Sequence, residues 1–277
     1  MPRYYEKDLE MPVQLAWTTD CHFEWLNDTF DAFIDSLARS RTEGVIISGD
    51  ISNAKHITYH LKRLSELPMP VYFVLGNHDF YHGSFGLVDQ MVHRAVKDHQ
   101  NLTWLTEAQP IQLTESTYLI GHDGWADGRA GMGPKSGLIL NDYRLISDFV
   151  GLPIDSVFSL MREKADAAAK RLYRQIHQIG AKHIIVVTHA PPFREASKHR
   201  GQIADDRSIP HFSNIGTGEA LKKAAQETGA RLSVFCGHTH HRARAIINGR
   251  IGVRVKQAKY GKPSHTTIDV DVGVCDA

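Results

Sequence analysis

Short apolar runs alternate with amphipathic segments of helical period along most of the chain. Val13 to Thr19 reads as a first strand. A helix follows from Asn27, capped by Asn27 or Asp28, with Phe30, Phe33, Ile34, Leu37 and Ala38 on one face. Val45 to Ser48 is a short buried strand, Ile57, Leu61, Leu64 and Leu67 mark a helix that Pro68 ends, and Val71 to Leu75 is the next strand. This β-α-β-α-β order predicts parallel strands joined by right-handed crossovers.

Leu87 to Asp98 has the period of another amphipathic helix, and the pattern turns strand-like around Leu102 to Leu105 and Ile111 to Ile120. A long helix is predicted over Asp155 to Ile179, stopped by Gly180. Ile184 to Thr188 and Leu232 to Phe235 read as strands, with a helix over Thr217 to Thr228 between them, closed by Gly229. Two apolar runs, Ala243 to Ile247 and Arg250 to Val255, flank Asn248-Gly249, the signature of a hairpin with a type I′ turn. The alternation of Thr266 to Val272 is expected to close a second, largely antiparallel sheet. Residues 121–154 and 191–216 lack periodicity and are too long for plain connections, so they are read as lids or binding loops. No repeat or linker divides the chain, and residues 1–277 are read as a single domain with insertions at about 121–154 and 191–216.

With 277 residues, 42% hydrophobic and 23% charged, the chain can bury a large core as an ordinary globular protein. A net charge of +1 gives no bulk reason to expect a polyanion, so nucleic acid stays an unfavoured partner that a local patch would have to justify. Cys21, Cys236 and Cys275 are odd in number and far apart, which suits a reducing compartment better than a disulfide framework. No apolar stretch approaches a signal peptide or a membrane span, so a cytoplasmic location and no membrane partner are expected.

Histidine is frequent, at seventeen residues, so only position relative to the strands gives a single His meaning. Five predicted strands end in polar, metal-competent residues: Asp20-Cys21-His22, Gly49-Asp50, Gly76-Asn77-His78-Asp79, Thr188-His189 and Gly237-His238-Thr239-His240. Carboxyl ends of strands are where open α/β sheets bind ligands, so these groups are expected along one rim. In extended backbone Asp20 and His22 point the same way and can chelate one ion, whereas Cys21 faces away as a packing residue. Gly237 suggests crowding of the backbone beside His238.

The order and spacing of these five motifs, from residue 20 to residue 240, resemble those of the calcineurin-like metallophosphoesterases. The resemblance implies an α/β fold, a two-sheet β-sandwich flanked by helices, holding two metal ions. One ion would lie on Asp20, His22, Asp50 and His240, and the other on Asp50, Asn77, His189 and His238, with Asp50 bridging. His78 would be the general acid beside the leaving group. Carboxylate and amide oxygens mixed with imidazoles suit Mn, Fe, Zn or Co rather than calcium. Two such ions roughly 3.5–4 Å apart clamp a phosphate and lower the pKa of a bridging water toward ~7, giving a hydroxide that attacks phosphorus in line. His78 would then protonate the departing alkoxide.

Departures from the family's branches narrow the substrate. The serine/threonine protein phosphatases carry Gly-Asp followed by a second Asp and Arg-Gly, and here the run is Gly49-Asp50-Ile51-Ser52-Asn53, with Asn53 replacing the Asp that would orient the catalytic His. The lipid A pathway hydrolases carry Arg where His78 stands. Related DNA-repair nucleases are usually longer. The expected activity is hydrolysis of a phosphodiester, or also a monoester, of a small molecule or nucleotide. The alternatives are a nuclease, a dinucleoside-polyphosphate hydrolase, or a non-catalytic binding scaffold of the same fold. Loop residues Arg194, Lys198, His199, Arg200 and Arg207, with His122, Trp125, Arg129, Lys135 and Arg144, could hold a nucleotide, or could be solvated with Asp205 and Asp206 cancelling part of the charge.

Overall fold

A computed structural model describes residues 12–26, 29–180, 182–273 and 275. The cap expected at Asn27 or Asp28 lies outside these, and the helix it was to open runs Thr29–Ala38. Among the described residues two mixed sheets face each other. The first has the order Thr266–Asp269, Gln14–Thr18, Gly44–Ser48, Val71–Val74, Leu102–Trp104, and the second Ala243–Ile247, Ile251–Val255, Arg231–Cys236, His183–Thr188, Thr117–His122, Ile111–Gln112. The four strands from Gln14 to Trp104 are parallel, as the β-α-β-α-β pattern requires.

The apolar alternation sorts side chains into three layers. Leu15, Trp17, Ile46 and Val74 point between the sheets against Leu119, Ile185, Val187 and Phe235. Their neighbours Ala16, Val45, Ile47 and Phe73 face the helices Thr29–Ala38, Ile57–Leu64 and Phe85–Asp98 on the outer side. On the far side, Ile184, Val186, Leu232 and Val234 pack on Leu172, Ile176, Leu221 and Ala224 of the helices Ile154–Ile179 and Ile215–Thr228. Strands covered on both faces read as continuous hydrophobic runs.

Local chemistry sets the boundaries. The Ser84 hydroxyl accepts from the Leu87 amide, so the third helix opens at Phe85, two residues before the periodicity shows it. Asn214 does the same for Thr217, and Gly229 ends that helix at φ 76°. The hairpin turn has Asn248 at φ 51° and Gly249 at φ 66°.

Two expectations need correction. The strand Thr266–Asp269 does not close the second sheet. It pairs antiparallel with Gln14–Thr18 in the first, where the Val270 amide donates to the Val13 carbonyl and Gln14 to Asp269. The second sheet is parallel through its centre and antiparallel only at its edges. Alternation fixes which face a strand buries, not which partner it takes. The segments 121–154 and 191–216 are not free loops either. Trp125, Tyr143, Ile146 and Phe149 of the former are core residues, and the latter holds a small hairpin, two 3-10 turns and the start of a helix. Among the described residues no helix is long and apolar enough to cross a membrane.

Candidate metal centre

The carboxyl ends of the central strands of both sheets meet at one rim. There the Asp20 amide donates to the Gly49 carbonyl and the His22 amide to the Asp50 carbonyl, while the Gly237 amide donates to His189. Across the sheets the His238 amide donates to the Asp20 carboxylate at 2.9 Å. The seven residues expected as ligands are thereby drawn together.

They form two groups that share Asp50. In the first, ligand atoms of Asp20, His22, Asp50 and His240 all lie within 4.8 Å of one another. The two Nε2 atoms of His22 and His240 face each other at 3.2 Å, His240 Nε2 lies 3.4 Å from Asp20 Oδ1, and His22 Nε2 lies 3.7 Å from Asp50 Oδ2. In the second, the Asn77 side-chain oxygen lies 3.2 Å from His189 Nε2 and 3.0 Å from His238 Nδ1, and His189 Nε2 lies 3.3 Å from Asp50 Oδ1. The two oxygens of Asp50 thus point into different groups.

Second contacts fix which atom of each ring faces inward. His189 Nδ1 donates to the Ser48 carbonyl at 2.9 Å and His238 Nε2 to the His211 carbonyl at 2.8 Å, so the opposite nitrogen of each ring faces the site. Asn77 gives its amide hydrogens to Asp142 at 2.9 Å, which turns its oxygen toward His189 and His238. The Tyr81 hydroxyl donates to the same Asp142 oxygen at 2.6 Å. The buried Asp79 accepts from the amides of Gly76 and Ser52, both at 2.8 Å, and so holds the turn carrying Asn77 and His78.

Backbone strain accompanies this convergence. Asp20, His22, Asp50, His238 and His240 all have φ between 44° and 70°, in the left-handed region that non-glycine residues seldom adopt. Asp20 and His22 therefore share a site because the chain turns at both, not because an extended strand points them the same way. A Cβ on Gly76 would run into the Asp50 carboxylate and the His189 ring, and one on Gly237 into Thr19 and Asp20, which accounts for the crowding expected there.

Buried carboxylates and imidazoles shift one another's ionisation here. Asp20 and Asp50 are each 1% exposed. Burial opposes their ionisation, yet the surrounding imidazoles hold Asp20 below, and Asp50 well below, the usual carboxylate range. Burial likewise opposes a charge on His189, but Asp50 and then Asp20 outweigh it and push the ring up to about 10. Two buried carboxylates ringed by imidazole nitrogens, with His22 Nδ1 lacking a hydrogen-bond partner among the described residues, form a donor set that suits transition-metal cations.

His78 stands at the edge of this cluster. Its ring stacks on Tyr81 at 4.1 Å and meets His22 edge-on at 4.5 Å. It faces a cleft of about 350 Å³ that Glu24, Trp25 and Tyr260 also line. Asn53 binds the Lys55 amide and the His56 ring instead of His78. The carboxylate on this side is Glu24, which lies with His22 and His78 in a second cluster. Burial and the Asp50 charge push Glu24 up to about 7.

Sequence reasoning missed Asp142, Tyr81, Glu24 and Tyr260, none of which follows a core strand. Glu24, two residues beyond His22, was the one with a visible signal. The loop residues proposed for substrate fare differently. Trp125 is 5% exposed and packs edge-on against Phe85 and Phe149. Arg129 pairs with Asp127 and Asp166, and Arg194 with Asp206. Exposed aromatic surface beside the site belongs to Trp25 and Tyr260, 66% and 48% exposed. Cys21 is buried and its thiol is pushed up to about 12, chiefly by that burial, so it packs and does not attack.

Solved structures share this architecture. A phosphopantetheinyl hydrolase from Mycobacterium tuberculosis superposes with a TM-score of 0.67 at 15% identity, covering 91% of this chain and 92% of its own. A dimetal phosphatase from Danio rerio superposes at 0.57 with 14% identity, covering 93% and 92%. At such identity the likeness is one of fold. Among curated proteins no sequence matches significantly. The family model for calcineurin-like phosphoesterases matches residues 13–242, the stretch that holds both donor groups and His78, and the chain belongs to that family.

Proposed function

We propose that the chain is a phosphoesterase dependent on two metal ions, acting on a phosphodiester of a small molecule or nucleotide. The observation that carries this reading is the position of Asp50, one oxygen toward His22 and the other toward His189. Asp20, His22, Asp50 and His240 would hold one cation, and Asp50, Asn77, His189 and His238 the other. Manganese, iron or zinc in these positions would neutralise phosphoryl oxygens and make water a better nucleophile.

The chain's own residues supply the rest. Burial and fixed hydrogen bonds hold the donors in place before substrate arrives, which lowers the reorganisation needed in the reaction. His78 makes no side-chain hydrogen bond among the described residues, so a ring nitrogen is available to protonate the leaving oxygen. Trp25 and Tyr260 offer aromatic surface to an organic group of the ester. The phosphopantetheinyl hydrolase, by its name, acts on a phosphopantetheinyl group, and such an ester joins nucleotides in the substrate panel.

Hydrolysis of bis-p-nitrophenyl phosphate with Mn²⁺ tests the assignment. Asp50→Ala is expected to lose metal and turnover together. His78→Ala is expected to keep the metals and lose ~10²–10⁴-fold in rate. Full activity in Asp50→Ala would falsify the reading. Loss of metal in His78→Ala would reassign His78 as a ligand.

A further inference from the structure

A strongly basic surface lies behind the segment that carries Tyr260. A groove of about 620 Å³ opens between the neighbouring edges of the two sheets, with Trp17 and Thr266 on one side and Arg242, Arg254 and Val255 on the other. The segment 256–264 closes it with Lys256, Lys259 and Lys262. Among the described residues no Asp or Glu lines the groove. Arg242, Arg254, Lys256, Lys259 and Lys262 also make no ion pair with a described carboxylate, unlike Arg129 and Arg194 elsewhere on the surface.

The arrangement is built rather than incidental. The Arg254 guanidinium lies 5.6 Å from the Trp17 ring centre and 5.8 Å from that of Phe235, which fixes its position. Lys256 Nζ donates to Thr266 at 3.1 Å. Burial lowers the proton affinity of both groups, and neighbouring cations lower it further: Arg242 and Arg244 act on Arg254, and Arg254 and Arg242 act on Lys256. Like charges crowded on half-buried side chains store repulsion that a bound anion relieves.

The groove also adjoins the metal centre. Tyr260, on the same segment as Lys259 and Lys262, packs on His22 at 4.4 Å and on His240 at 4.9 Å between ring centres. The Ala258 amide donates to the His240 carbonyl. We propose that this groove is a phosphoryl-binding site, distinct from the metal centre, that takes a di- or polyphosphate group. The group belongs either to the distal part of a polyphosphorylated substrate or to a separate anion. Only the first source rests on the hydrolase reading.

Titration of pyrophosphate into the Mn²⁺-loaded full chain tests the site. The variants are Lys259→Glu/Lys262→Glu and, separately, Arg254→Gln, each checked by circular dichroism, since Arg254 also packs on Trp17. Each is expected to weaken binding about tenfold or more. Asp50→Asn is expected to leave that binding event in place, so the test stands whether or not the hydrolase reading does. Pyrophosphate binding that is absent, or that disappears in Asp50→Asn and is unchanged in the folded groove variants, overturns the proposal.

Kinetics separate the two sources. A rise in KM for a dinucleoside tetraphosphate, with KM for bis-p-nitrophenyl phosphate unchanged, assigns the groove to the substrate. A pyrophosphate effect with neither KM changed assigns it to a separate anion. Affinity for single-stranded oligonucleotides that exceeds that for pyrophosphate and grows with each added nucleotide overturns the small-anion proposal in favour of a nucleic-acid strand.

Discussion

The two sheets contribute unlike halves to the rim. The first supplies both carboxylates and the amide, Asp20, Asp50 and Asn77, with His22 as its one imidazole in the two donor groups. The second supplies imidazoles alone, His189, His238 and His240. The first half alone would concentrate buried negative charge, and the second would concentrate nitrogen lone pairs. Each half offsets the other, since the rings hold the carboxylates ionised and the carboxylates favour charge on His189. That difference teaches where the molecule can be broken and how far each break should spread.

The largest effect is expected where both halves meet. Asp50→Ala should reduce turnover on the order of 10⁴-fold or more, because it removes the group proposed to serve both cation positions. Stoichiometry by inductively coupled plasma mass spectrometry should fall with it, and retention of two metals per chain in this variant would contradict the sharing. Gly76→Ala attacks the same junction through the backbone, since its Cβ would collide with Asp50 and His189. Overpacking there should cost ~1–3 kcal/mol, read as a lower urea midpoint, and an unchanged midpoint would show that the junction yields.

A smaller effect, confined to one group, is expected from Asp142→Ala. Asn77 and Tyr81 would lose their shared acceptor, and affinity for one of two metals should fall ~10–100-fold with the other unaffected. Equal loss of both would show that Asp142 acts on the fold rather than on Asn77.

These cases also mark how far the sequence could be read. The strands and their polar ends were legible because each buried strand is a continuous apolar run that stops at a charged or histidine-rich turn. The left-handed backbone at Asp20 and His22 was not, since it goes with amide bonds to Gly49 and Asp50 on the neighbouring strand end and no local residue announces it. Nor was the partner of Thr266–Asp269, which depends on pairing between distant parts of the chain, as Gln14 with Asp269 illustrates at a separation of 255. Asp142 sits in a stretch without periodicity, and its role appears only once residues 77 and 81 lie beside it. Trp125 looked available because exposure is invisible in a sequence, and it proved to be core.

The smallest expected effect lies one hydrogen bond behind the rim, at His60, whose ring pairs with the Ser52 hydroxyl. Burial lowers His60 to about 4, against ~6.5 for an unfolded histidine. Below pH 6.5 the unfolded chain takes up this proton before the folded one does, so the stabilisation is complete above 6.5 and declines as pH falls toward 4. The stability of the native chain relative to His60→Gln should shrink over that window in urea titrations. A difference that grows with acid would contradict the neutral, Ser52-bonded ring.

One buried carboxylate, Asp50, is proposed to be shared between two cation positions. Anomalous diffraction from crystals grown with Mn²⁺ measures this most directly. Two peaks are expected at the rim, flanking Asp50, one beside His22 and His240 and the other beside His189 and His238. A single peak, or peaks that leave Asp50 uncoordinated, would contradict the account.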